Sequence, residues 1–163
     1  MRRVLITGLS GVGKSTVIAR LAELGYKAMD TDYGGYFELV EADAATQQRF
    51  GGKVEWRWRE DRIAALLDVE DADVLFVCGT ASNQPRFYAR FDRIVLLTAP
   101  DAVMVERMRT RTNSPYGRDP ADVERQLALK PLVEPLLRQA ADLVIDTSAP
   151  LERVVERIIE AAL

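Results

Sequence analysis

The sequence predicts an α/β fold in three layers, a five-stranded parallel sheet flanked by helices. Three observations carry this expectation. Four short runs rich in Val, Ile and Leu are too continuously apolar to have one face in water. Segments with helical periodicity alternate with them, as strand–helix–strand crossovers require. The first run also passes through a glycine-rich turn into a helix. At 163 residues the chain fits a single domain, 1–163, with enough length to bury a core.

Taken in order, Val4–Ile6 is the first strand and Ser15–Leu24 the first helix, with Val17, Leu21 and Leu24 on one face and Gly25 at its stop. Lys27-Ala28-Met29 is a weaker strand candidate ahead of Asp30. The stretch of about 55–68, Glu55 to Asp68, reads as a helix, and Val74–Cys78 as the third strand. Ile94–Leu97 is a strand followed by a helix over Ala102–Thr110. Asp122–Gln139 is helical, with Pro131 and Pro135 expected to break or kink it. Leu143–Ile145 is the last strand. Leu151–Ala162 closes the chain as a helix with Val154, Val155, Ile158, Ile159 and Ala162 on its apolar face.

The turn after the first strand is Gly8-Leu9-Ser10-Gly11-Val12-Gly13-Lys14-Ser15-Thr16, which fits G-x-x-x-x-G-K-[ST], the phosphate-binding loop. Glycines let the backbone curl so that several N–H groups converge on phosphate oxygens. The helix that follows adds unpaired N–H groups and the positive end of its dipole. Lys14 is expected to reach the outer phosphates and the Ser15 hydroxyl to hold Mg²⁺.

Ligands of parallel sheets gather at the carboxyl ends of the strands, so the residues there are the next candidates. After the second strand come Asp30-Thr31-Asp32. Two carboxylates beside a phosphate site can hold Mg²⁺ through water, orient an acceptor hydroxyl or take its proton; the plain alternative is a polar turn. After the third strand, Cys78 and Gly79 stand where nucleotide-hydrolysing motors carry an acidic metal ligand. Gly79 suits either close approach of a substrate or an ordinary turn, and Cys78 reads as a buried strand residue. Arg107, Arg109, Arg111 and Arg118 lie near one helix end and the turn Asn113–Gly117, a pattern for an arginine-bearing lid over about 111–120 or for a solvated basic face. The run Glu55–Arg62 holds both tryptophans. It reads either as a helix anchored on the core or as an acceptor wall in which Arg57 or Arg59 grips an anionic group.

Composition narrows the classes. A net charge of −3 does not suggest an extended nucleic-acid surface, and no apolar run approaches membrane-spanning length. The absence of histidine removes Ser-His-Asp triads, His-containing metal sites and imidazole acid–base chemistry. The single cysteine, Cys78, precludes an internal disulfide and suits a reducing compartment. The short run after Met1-Arg2-Arg3 is no signal peptide, so a cytoplasmic location is expected.

Together these positions resemble the small-molecule and nucleoside-monophosphate kinase branch of phosphate-loop proteins, with shikimate kinase nearest by pattern. The loop matches over Gly8–Thr16 and the family's D-T-D over Asp30-Thr31-Asp32. Its G-E-x-x-F-R-x-x-E falls on Gly52–Glu60, where Arg57 and Glu60 are kept, Trp56 replaces Phe and Lys53 replaces the first Glu. The resemblance implies a P-loop NTPase fold and an acceptor-binding insertion over about 33–62. It also implies Asp32 at the hydroxyl being phosphorylated, Arg57 at the acceptor, Arg107 stacked on adenine and Arg111 on the phosphates. Ile145-Asp146-Thr147 and Pro150 are similar to the family's adenine-side loop. Consecutive glycines of shikimate kinase are here Cys78-Gly79-Thr80-Ala81, so kinase chemistry transfers more directly than shikimate as substrate.

The expectation is an ATP-dependent phosphotransferase acting on a small anionic acceptor, a hydroxylated metabolite or a nucleotide, with ATP and Mg²⁺ as cofactors. Gly8, Ser10, Gly11, Val12, Gly13, Lys14, Ser15, Thr16, Arg107, Arg111, Thr147 and Pro150 would bind nucleotide. Lys14, Asp32 and Arg111 would act in catalysis; Asp30, Asp32, Arg57 and Gly79 would face the acceptor, and Ser15 with Asp32 the metal. No Asn/Thr-Lys-x-Asp guanine pattern occurs, which favours ATP. A monomer or small homo-oligomer is expected, without nucleic-acid or membrane partners. The alternative is a nucleotide-binding switch with slow hydrolysis, which would need no acceptor pocket. An RNA-associated ATPase finds no aromatic-basic strand motif.

Overall fold

The computed structural model describes every residue of 1–163 except Asn113, so the part of the Asn113–Gly117 turn that falls on Asn113 lies outside the described residues. Five strands form one parallel sheet: β1 (Arg2–Thr7), β2 (Lys27–Asp30), β5 (Val74–Cys78), β6 (Arg93–Thr98) and β7 (Leu143–Asp146), in the spatial order β2-β5-β1-β6-β7. A separate antiparallel ribbon pairs β3 (Phe37–Glu41) with β4 (Val54–Trp58). The helices are α1 (Lys14–Glu23), α2 (Ala44–Phe50), α3 (Glu60–Asp68), α4 (Asp101–Thr110), α5 (Pro120–Ala140) and α6 (Leu151–Ala162).

Strand alternation sends successive side chains to two separate cores. Val4, Ile6, Phe76, Val95 and Leu97 meet Val17, Ile18 and Leu21 of α1, Met104 of α4, and Val154, Val155 and Ile158 of α6. Leu5, Leu75, Val77 and Ile94 face the other way, onto Ile63 and Leu67 of α3, Trp58 and Phe87. Each of these large side chains, once fully buried, stabilises the fold by about 1.5–3 kcal/mol. With both faces covered, β1 sits at the middle of the sheet. Its carboxyl end therefore has neighbours on either side from which a site can be built.

Two sequence expectations are corrected here. The helix expected over Glu55–Asp68 is in fact β4 followed by α3, which begins only at Glu60. In Glu55-Trp56-Arg57-Trp58 the charged and aromatic residues alternate, and that period of two prevails because β3 supplies a strand partner. The other correction is the break expected in α5, which continues as helix through Pro131 and Pro135. Tertiary contacts flank both prolines. Lys130 Nζ donates to Ala99 O and Asp101 at 2.7 Å, and Glu134 accepts from Thr98 Oγ1 at 3.0 Å. Among the described residues no helix is long and apolar enough to cross a membrane.

Candidate active site

The glycine-rich turn joins β1 to α1 at the middle of the sheet. Gly8, Gly11 and Gly13 all have positive φ, at 151°, 84° and 96°. At Gly8 a Cβ would lie 2.5 Å from Leu97 O, and at Gly11 2.8 Å from Met104 O, so the curl is wedged against β6 and α4 and admits no larger residue. Lys14 Nζ folds back onto the loop, donating to Gly8 O at 2.6 Å and Leu9 O at 2.9 Å. Thr80, just past β5, fastens the loop's first residue: its hydroxyl donates to Gly8 O and accepts from Gly8 N.

The carboxyl end of β2 brings two aspartates to this loop. Ser15 Oγ donates to Asp30 Oδ2 at 3.1 Å, and Asp30 Oδ1 accepts from Asp32 N at 3.0 Å. Asp30, rather than Asp32, is thus the carboxylate hydrogen-bonded to the expected metal-binding hydroxyl. Lys14, Asp30, Asp32 and Arg111 form one electrostatic cluster. Dehydration by the surrounding protein raises the Asp32 pKa even though the residue keeps an open side to solvent; Asp30 pushes it the same way, while Lys14 and Arg111 oppose. Burial lowers the pKa of Lys14, against the attraction of Asp32 and Asp30. Burial also raises the Cys78 thiol well above its ordinary value, in keeping with its place inside β5.

Two arginines border the opposite side. Arg107 of α4 donates to Thr147 Oγ1 and Thr147 O, both at 2.7 Å, and the Thr147 hydroxyl donates to Val12 O at 2.6 Å. This ties the loop after β7 to the phosphate loop, with Pro150 opening α6 three residues on. Arg111 caps α4 and donates through Nε and an Nη to Tyr116 O at 3.1 and 2.5 Å. The Tyr116 hydroxyl accepts from Gln126 Nε2 at 3.0 Å, and Gln126 Oε1 accepts from Ser10 N at 3.2 Å. One amide of α5 therefore joins Tyr116, in the turn after α4, to an N–H of the phosphate loop. Gln126→Ala is expected to loosen this segment. Limited trypsin digestion should then cut at Arg111 or Arg118 several-fold faster than in the wild type, and an unchanged rate would rule the tether out.

The family model described as AAA domain matches residues 4–128 of the chain. A shikimate kinase of Halorhodospira halophila is 31% identical over 174 residues, covering 98% of this chain and 92% of its own length. The chain belongs to the phosphate-loop family of small-molecule kinases. A nucleotide-binding protein of Thermosipho africanus is 27% identical over 89% of this kinase, which spans only 48% of that relative. Among solved structures, a shikimate kinase from Acinetobacter baumannii in complex with shikimate aligns with a TM-score of 0.63 at 20% identity. It covers 98% of this chain and 92% of its own, a likeness of fold.

On the acceptor side the kinase differs from the arrangement its sequence suggests. Strand alternation turns Arg57 away from Trp58, into ion pairs with Glu38 at 3.8 Å and Glu60 at 3.4 Å. Arg59 lies exposed at the start of α3. Trp58 is fully buried, and its Nε1 donates to Thr31 Oγ1 at 3.0 Å; Thr31 in turn donates to Cys78 O at 2.7 Å. The Asn83 side chain holds the Trp58 backbone at 2.9 Å on both N–H and C=O. Gly79 lies beneath this joint, and a Cβ there would stand 2.2 Å from Thr31 Oγ1 and 3.2 Å from Trp58. Close approach at Gly79 is thus made by the protein itself. Gly79→Ala is expected to destabilise the fold by about 1–3 kcal/mol through overpacking, measured by urea unfolding. A loss below about 0.5 kcal/mol would mean that the joint yields.

Thr80, Gln126 and Tyr116 are site neighbours that sequence reading missed. Small polar residues after β5 were a signal for Thr80. Gln126 had none, because a glutamine within a helix is ordinary until the fold brings it to Ser10.

Proposed function

We propose that this kinase transfers the γ-phosphoryl group of Mg-ATP to a hydroxyl of a small acceptor. The observation that supports this reading is the coupling of Asp32 with Lys14 and Arg111 beside the phosphate loop. A nucleotide switch needs one carboxylate beside its metal-binding hydroxyl, the place that Asp30 takes here; Asp32 is a second one on the same turn. A phosphotransferase needs one group to hold an acceptor hydroxyl in line and cations to neutralise the transferring group.

The residues present fit such a nucleotide. The loop from Gly8 to Thr16 offers converging N–H groups at the start of α1. Lys14, now held by two loop carbonyls, is free to exchange them for phosphate oxygens, which are stronger acceptors for an ammonium group. Ser15 would supply the hydroxyl ligand for Mg²⁺, with Asp30 and Asp32 adding negative charge beside it, and the ion would neutralise charge on the phosphates. Arg107 and Thr147, with Pro150, border the adenine side, and Arg111 reaches the phosphates from the lid over about 111–120. Asp32 orients the acceptor hydroxyl, and the insertion over about 33–62 walls the acceptor. Arg57 is held by Glu38 and Glu60 only loosely, and its buried Nε has no hydrogen-bond partner among the described residues, so it keeps a donor that an anionic group of the acceptor could use.

The test is ADP formation from Mg-ATP, alone and with a panel of hydroxylated acceptors. Stimulation by at least one acceptor is expected. Tight ATP binding without stimulation by any of them would instead support the switch.

A further inference from the structure

The phosphate loop has a definite outer end. Lys14 Nζ, the group that meets the outer phosphates, is held by Gly8 O and Leu9 O, and Ser10 N is the backbone group that follows them. Arg111 acts electrostatically on the same Lys14 and on Asp32. Ser10 N, Lys14 and Arg111 together mark where a third phosphate would lie.

An amide from a distant helix stands at that place. Gln126 of α5 accepts from Ser10 N through Oε1 at 3.2 Å and donates through Nε2 to the Tyr116 hydroxyl at 3.0 Å. A backbone N–H can only donate, so the amide oxygen must face the loop and the NH₂ group must face Tyr116. Tyr116 is itself held. Its carbonyl takes both bonds from Arg111, and Gly117 N beside it donates to Asp122 Oδ2 at 3.1 Å. A Cβ on Gly117 would stand 2.6 Å from Met108 Cβ, so this turn packs directly on α4. The half-buried Gln126 amide is thus fixed at both of its ends. Its NH₂ group has a second hydrogen, which no acceptor takes among the described residues. As a mere tether, a carboxylate would serve equally well, since Ser10 N and a tyrosine hydroxyl can both donate to it. Only the amide leaves a donor for an anion.

We propose that Gln126 binds the γ-phosphoryl group: its oxygen stays on Ser10 N while its unspent N–H donates to a γ-phosphate oxygen beside Lys14 and Arg111. This rests on the reading of the loop as an ATP site and adds a residue from outside it. ADP has no oxygen at that place, so the contact separates ATP from ADP.

Isothermal titration of the full chain reads this difference, with Mg²⁺ and either ADP or adenylyl imidodiphosphate, an ATP analogue that keeps the third phosphate. Gln126→Ala should bind the analogue about 10-fold more weakly and ADP within about twofold of the wild type. Gln126→Glu separates binding from folding. Its carboxylate can accept from both Ser10 N and the Tyr116 hydroxyl, yet it offers no donor and repels phosphate. It should lose at least as much analogue affinity as Gln126→Ala, and more as salt is lowered. Equal losses for analogue and ADP in both variants would mean a tether alone and would overturn the proposal. Tighter analogue binding by Gln126→Ala would show the amide standing in the phosphate's way, and would overturn it too. No acceptor enters these titrations, so the two readings fail separately. The expected analogue losses in a chain that phosphorylates no acceptor would uphold Gln126 and overturn the kinase reading. Acceptor-stimulated turnover with an unchanged analogue-to-ADP ratio in both variants would do the reverse.

Discussion

Lys14→Ala is expected to lower acceptor-stimulated ADP formation by about 10³-fold, equivalent to about 4 kcal/mol of lost charge stabilisation. The side chain already lies in the loop, within 2.9 Å of two of its carbonyl oxygens, so little ordering remains to be done when phosphate arrives. Nucleotide affinity should fall as well, because the ammonium meets phosphate in the ground state and in the transition state. The pH dependence has a definite sign. Burial lowers the Lys14 pKa from 10.5, so the charge is lost at a lower pH than in an exposed lysine. Nucleotide affinity should therefore decline on the alkaline side below pH 10.5, and this limb should be absent in Lys14→Ala. Isothermal titration with ADP across that range measures it, and a variant that binds ADP like the wild type would refute the role.

Asp32→Asn is the second large effect. The amide keeps the size of the side chain and removes its charge, so the turn after β2 stays and the positioning of the acceptor is lost. Phosphotransfer should fall about 10²- to 10³-fold, with ATP affinity changed by less than about threefold. Dehydration raises the Asp32 pKa above 3.8, so the acid limb of kcat/KM should lie above that value and should disappear in the variant. Stability moves in the opposite direction. A carboxylate whose folded pKa is raised binds its proton more tightly in the folded chain, so its ionised form costs stability at neutral pH. Asp32→Asn should therefore be more stable than the wild type near neutrality. The difference should shrink as the pH falls through the raised pKa and vanish below 3.8. Urea midpoints at several pH values would show this. A variant less stable at neutral pH, with full activity, would sink the assignment.

Much of this kinase is written in local sequence. Val4–Ile6, Val74–Cys78 and Ile94–Leu97 are recognisable as strands because burial on both faces demands continuous apolar runs. The phosphate loop is recognisable because its turn takes positive φ at Gly8, Gly11 and Gly13, a requirement set by the local backbone. Asp30 and Asp32 became candidates by following a strand, since parallel sheets gather ligands at strand ends. Arg57 became one through its pattern of neighbours, which does not specify a face. The helix expected from Glu55 failed for the same reason: a short run with two tryptophans and alternating charges carries both periods, and only its pairing with β3 selects one.

What the sequence determined by itself is the α/β frame, the phosphate loop and the residues at the strand ends, because backbone conformation and solvent exclusion act over a few residues at a time. What the tertiary structure decided is which side chains meet. It paired Ser15 with Asp30, joined Gln126 to Ser10 across 116 residues, closed Gly79 against Thr31 and Trp58, and turned Arg57 toward Glu38 and Glu60. Those contacts depend on strand register and on the direction of each chain crossing. Both are fixed only when distant segments pack against each other, and no window along the chain contains them.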